Sequence, residues 1–107
     1  MAYILKNTTL TGTQNFETFD EFVQFRSSLT AYQNFKTTQD YLQSSGMVVN
    51  VKSSKVSGGW EVCRTIPNKA EYIAFISTPS ISALVEDVNI TNLSLGWTTK
   101  QEVVEDN

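Results

Sequence analysis

Four side chains in this sequence have the type and spacing to line a binding site: Trp60, Arg64, Tyr72 and Trp97. Trp60 and Arg64 lie on Trp60-Glu61-Val62-Cys63-Arg64-Thr65-Ile66, which alternates as a strand does, so both share a face with Val62 and Ile66. A guanidinium on that face needs a partner or solvent. Two partners are open: an acid such as Glu61 or Glu102 in a structural salt bridge, or the carboxylate of a ligand. Each tryptophan stands beside a glycine, Gly59 or Gly96. An indole at such a place either packs a core or dimer interface, or walls a pocket for a flat apolar ligand. Tyr72 has the same two readings, core or cavity wall.

The absences narrow the chemistry. There is no histidine, which removes Ser-His-Asp and Cys-His nucleophiles, His-based zinc sites and a proximal haem ligand. Cys63 is the one cysteine, so no intrachain disulfide forms, and its bland reading is a buried, inert thiol. Asp20-Glu21 is accounted for by helix capping, and Glu86-Asp87 by a solvated helix face. Ser57-Gly58-Gly59 lacks the lysine and following helix of a phosphate loop. No metal site and no cofactor are expected. Whether the chain is an enzyme stays open, with the balance toward not.

The net charge is −3 and the eight basic residues form no run. Phosphate backbones and anionic membranes call for a clustered basic face, so neither is an expected partner. No apolar run approaches the roughly 20 residues needed to span a bilayer, and Met1 to Asn7 does not have the form of a signal peptide. A cytoplasmic location is the expectation. The Asn-x-Ser/Thr triplets at Asn7, Asn89 and Asn92 then read as by-products of composition.

The elements that must position these side chains follow from pattern. Tyr3 to Leu10 reads as a strand ended at Gly12. Thr18-Phe19-Asp20-Glu21 has the form of a capping box and opens an amphipathic helix carrying Phe19, Phe22, Val23, Leu29, Tyr32 and Phe35. That helix is expected to run to Ser44, with a break near Thr37-Thr38 and Gly46 as its left-handed cap. Met47 to Lys52 and Trp60 to Ile66 read as strands joined through Ser57-Gly58-Gly59. Glu71 to Ser77, apolar on both faces, reads as a central strand. Thr78-Pro79 starts a second helix with Ile81, Leu84, Val85 and Val88 on one face, closed by Asn89. Leu93 to Thr99 alternates as a last strand that Val103 and Val104 extend, before a frayed tail over 105–107. The whole chain, 1–107, reads as a single domain with twelve aromatics spread along it.

That order predicts an α+β fold, a ferredoxin-like β-α-β-β-α-β antiparallel sheet with its helices on one face. The alternative is a five-stranded sheet with a meander over 47–77. The segment Ile73-Ala74-Phe75-Ile76-Ser77-Thr78-Pro79 resembles the strand, polar turn and short helix of small dimeric α+β barrel proteins. Antibiotic-biosynthesis-type monooxygenases and stress-responsive barrel domains are among them. The resemblance implies a homodimer whose sheets pack together. Two functions then compete. One is a dimeric domain that binds a small apolar or aromatic ligand through Trp60, Arg64, Tyr72 and Trp97, acting as a cofactor-poor oxidoreductase if it is catalytic. The other is a non-enzymatic interaction protein, such as a viral or accessory factor, favoured by the acidic balance and the Asn/Thr/Ser-rich makeup.

Overall fold

The computed structural model describes residues 3–105. Eight elements follow one another: β1 (Tyr3–Leu10), α1 (Phe19–Ser27), α2 (Thr30–Ser44), β2 (Val49–Val56), β3 (Gly59–Ile66), α3 (Lys69–Ile76), α4 (Pro79–Ser94) and β4 (Thr98–Glu105). The strands form one antiparallel sheet in the order β2-β3-β1-β4. β1 and β2 are each antiparallel to the β3 that separates them, which is the split arrangement the sequence predicts. The expected frayed tail lies, beyond Glu105, outside the described residues.

Pleating decides which side of the sheet is dry. Tyr3, Leu5, Trp60, Val62 and Ile66 point to the helical layer and are buried. Ile4, Lys6, Glu61, Cys63 and Thr65 alternate with them onto the other face. Two aromatic-rich cores form under the helices. One gathers Tyr3, Leu5, Leu42, Val48 and Ile66, with Tyr72 and Phe75 packed against it. The other gathers Phe22, Trp60 and Trp97 with four further apolar side chains, Phe16 among them.

Four expectations are corrected. The five-stranded alternative fails, because Glu71 to Ser77 is not a strand: residues 69–76 are α3. Asn68 caps that helix, its side chain accepting from the Glu71 amide at 3.0 Å, and this local signal outweighs the apolar run that suggested a central strand. The first helix breaks at Ser28-Leu29, not at Thr37-Thr38. There the Ser27 and Ser28 hydroxyls donate back to the carbonyls of Val23 and Phe25, and Leu29 is extended. α4 passes Asn89 and runs to Ser94. The Leu93-Ser94-Leu95 alternation is therefore the end of a helix, closed by Gly96 at φ +76° with the Trp97 amide donating to the Asn92 carbonyl. β4 starts only at Thr98. β2 is longer than expected and bulged: Val49 and Lys52 pair with Thr65 and Cys63, and Asn50 between them takes φ +51°.

Candidate functional site

A charge interrupts the dry side of the sheet. Arg64 on β3 opposes Leu5 of β1 and alternates on the same face with the buried Val62 and Ile66. Above it, α1 carries Arg26, four residues past Phe22 and so on the same helical face. The charge of Arg26 lowers the proton affinity of Arg64, and burial, the larger cause, lowers that of both. Arginine keeps its charge through shifts of this kind, so two cations share the layer between helix and sheet.

No acid answers them. Among the described residues neither Arg26 nor Arg64 forms an ion pair. The acids expected to partner Arg64 are engaged elsewhere. Glu61 is three positions away on the strand, hence on the opposite face, where it meets Lys6 at 3.5 Å. Glu102, across from Lys6 on β4, pairs with Lys100 at 2.8 Å. Arg26 instead lies over the Phe22 ring, 4.4 Å from its centroid, and 5.1 Å from that of Tyr32. The Tyr32 hydroxyl donates to Asn92 Oδ1 at 2.8 Å, which ties α2 to α4 and leaves the phenol oxygen free to accept from Arg26. One atom remains unsatisfied: the Arg26 Nε is covered and has no hydrogen-bond partner. An orphaned buried donor costs about 1–3 kcal/mol.

A cavity of about 240 Å³ opens at this place, across the joint between α1 and α2. Its wall includes Val23, Arg26, Tyr32, Gln33 and Lys36. The joint itself is pinned by Gln33 Nε2 donating to the Ser27 carbonyl at 3.1 Å. α2 begins there with Leu29 at its cap, no side-chain cap bond and no acid in its first turn. The positive end of the helix is thus left uncompensated.

The four residues singled out from the sequence are placed as follows. Trp60 and Trp97 come together around Phe22, and ring contacts of 5.5 to 6.1 Å to Phe16, Phe19, Phe22 and Phe25 fill the space about them. Both indole N–H groups are used: Trp60 donates to the Phe16 carbonyl at 3.2 Å and Trp97 to Gln14 Oε1 at 2.7 Å. Trp60 also borders a smaller cavity of about 210 Å³ with Gln14, Phe16 and Lys55. Tyr72 belongs to the other core, edge-on to Tyr3 at 6.4 Å. Burial raises the Tyr72 phenol above its ordinary range, with Arg64 opposing. None of the four lines the α1–α2 cavity; Arg64 comes nearest, close enough to feel the charge of Arg26. Arg26, Tyr32 and Asn92 were not singled out from the sequence, yet two of them carried a signal. Arg26 is a cation on the apolar face of α1, and Asn92 falls four residues after Val88 on the apolar face of α4.

The class of fold is set by the sheet order and the one-sided helical layer: an α+β protein of the ferredoxin-like type. A solved structure has the same architecture. It is a Deinococcus radiodurans protein provisionally described as an antibiotic biosynthesis monooxygenase, with a TM-score of 0.55 and 13% identity over 100% of this chain and 93% of that one. The resemblance seen in the sequence thus holds at the level of fold, although residues 73–76, which suggested it, are helical here. No family model matches the sequence, and a search of curated proteins finds no match.

Proposed function

We propose that this protein is a small-molecule-binding domain acting as a homodimer, and that its ligand sits in the cavity at the α1–α2 joint, against Arg26 and Tyr32. The observation that carries the reading is the half-buried Arg26, its Nε unpaired, beside an open cavity and in the field of a second half-buried cation, Arg64. Folding alone gains nothing from such a pair, since an unpaired buried charge is costly. The cavity lies somewhat below the about 300 Å³ at which drug-sized pockets begin, so it suits a ligand of about one ring. The rings of Phe22 and Tyr32 stack on Arg26 and favour an aromatic or apolar body. Its lining holds no carboxylate, cysteine or histidine, which leaves only Tyr32 and Lys36 for proton transfer and favours binding over unaided oxidation.

The dimer has separate support. Ile4, Cys63, Thr65 and Val104 share the sheet face away from the helices, where no helix or strand among the described residues covers them. Sedimentation velocity of the full chain at micromolar concentrations is the test: a dimer is expected, and a monomer at every concentration would end that half of the proposal. For the ligand, saturation-transfer NMR with a library of single-ring compounds is the test. Binders that compete with one another and are lost in Tyr32→Ala are expected; no binder of any kind would refute the reading.

The second reading, a protein-interaction module, is favoured by the exposure of Ile90 (56%) and Leu93 (72%) on α4. Its test is whether Leu93→Ser abolishes capture of a defined partner from extracts of the source cell.

A further inference from the structure

We infer that two copies of this chain join edge to edge along β4, antiparallel, with Gln101 of one copy opposite Gln101 of the other. The inference rests on the homodimer proposed above and goes past it to the strand and register that hold the copies together. β4 is one end of the sheet: it pairs with β1 on one side and with no strand among the described residues on the other. A free edge offers unpaired N–H and C=O groups to any chain that can lie beside it. The two edges of this sheet are built differently. β2, at the far end, carries devices that stop a strand from adding: a bulge between Val49 and Lys52, Asn50 at φ +51°, and two lysines, Lys52 and Lys55. β4 has no bulge, glycine or proline and keeps one register with β1 from Thr98 to Glu105. Thr98, Thr99, Val103 and Val104 give it strong β propensity, and both valines are about half exposed. Its lysine, Lys100, is answered two residues on by Glu102, 2.8 Å away.

Register decides whether a second β4 fits. Glu102 and Val104 oppose Lys6 and Ile4, so with Thr98 and Lys100 they lie on the face away from the helices; Thr99, Gln101 and Val103 lie on the helical face. With Gln101 opposite Gln101, Lys100 of each copy falls opposite Glu102 of the other, Thr99 opposite Val103, and Thr98 opposite Val104. Opposite charges directly across a strand pair stabilise it, and like charges destabilise it. Sliding the second copy by two residues sets Lys100 against Lys100 one way and Glu102 against Glu102 the other. Sliding it by one residue sets Lys100 against Gln101 or Val103 and leaves its charge unanswered. The matched register turns the Lys100–Glu102 pair of each chain into half of a four-charge cluster. It also keeps both helical layers on one side of a single eight-stranded sheet, because residues directly opposite share a face.

The experiment is a charge exchange read by sedimentation equilibrium of the full chain. Lys100→Glu and Glu102→Lys should each weaken the dimer by about tenfold or more. The double variant Lys100→Glu/Glu102→Lys restores the match with the signs reversed and should recover the affinity of the wild type. Cross-linking reads the register directly. In a Cys63→Ser background, Gln101→Cys sets two thiols opposite one another, within disulfide reach, whereas Val103→Cys sets them four residues, about 14 Å, apart. Under mild oxidation Gln101→Cys should form the linked dimer about tenfold faster or more than Val103→Cys. A dimer unmoved by either single charge change, or cross-linking at 101 no faster than at 103, overturns the β4 edge and leaves the homodimer standing. A loss that the double variant does not recover overturns the register. A monomer at every concentration overturns both the edge and the homodimer.

Discussion

Replacing Arg64 by Met should make the ligand-free protein more stable. Met keeps the length and apolar stem of the arginine and removes its charge. In the wild type that charge is partly desolvated, lies in the repulsive field of Arg26 and has no carboxylate partner. Exchanging buried ion pairs for apolar side chains of similar volume is neutral to stabilising by about 1–4 kcal/mol. Arg64 is only half-buried and keeps some hydration, so the lower end applies, about 1 kcal/mol. For a chain of this size that is about 5 °C in Tm. The assay is urea denaturation followed by tryptophan fluorescence, with the slope m compared between the two proteins and the protomer concentration held fixed, because a dimer makes the midpoint concentration-dependent. A higher midpoint with unchanged m is expected. A loss of more than about 1 kcal/mol would refute the reasoning, since it would mean that the guanidinium is held by structure and that its charge is answered within the fold.

Three further outcomes follow from the packing and the electrostatics. Gly59→Ala should cost about 3 kcal/mol, at the top of the overpacking range, because a Cβ there would collide with the backbone carbonyl of Thr9 on the neighbouring strand; a urea midpoint within about 1 kcal/mol of wild type would contradict it. Trp97→Phe should cost about 2 kcal/mol, from lost volume in a side chain 2% exposed and from leaving Gln14 without its indole donor, read by far-UV circular dichroism in urea. Cys63 should alkylate more slowly at pH 8 than free cysteine, because burial first, and then the charge and hydrogen bond of Glu61, push its thiol pKa up and so lower the thiolate fraction; the rate profile should move to higher pH, and Glu61→Gln should move it partly back, measured by iodoacetamide labelling and mass spectrometry.

The legible parts of the chain were those where one local rule acted alone. Thr18 caps α1 with the Glu21 amide donating to its hydroxyl at 3.2 Å, as the capping-box form implied. Ser57-Gly58 turns β2 into β3, with Gly58 at φ +81°, and Pro79 opens α4. The misread parts were those where two rules competed. Residues 71–76 alternate poorly and are apolar on every side, which suits a central strand or a helix on a core alike. The deciding signal was the Asn68 cap with Glu71 three residues on, and Pro67 before it drew attention as a breaker instead. Leu93, Leu95 and Trp97 alternate by accident of a helix ending at Ser94. Leu93 is 72% exposed while Trp97 is buried, so the three never shared a face.

The site was half legible for a related reason. A cation on an alternating strand is conspicuous, and Arg64 was found. Its counterpart was hidden, because a single arginine on an amphipathic helix usually snorkels to water along the helix flank. Arg26 is prevented from doing so by its surroundings: Phe22 one turn earlier stacks on it, and Tyr32, beyond the Ser28-Leu29 break, closes over it. Had the helix run unbroken through Ser28-Leu29 to a break near Thr37-Thr38, as expected from the sequence, Tyr32 would sit about 9 Å beyond Arg26 along the axis, at 1.5 Å of rise per residue. The break brings the Tyr32 ring within 5.1 Å of the guanidinium and creates the cavity at the same stroke. The two serines that bend the helix are therefore part of the cavity's construction, and Ser27 also stands in its wall.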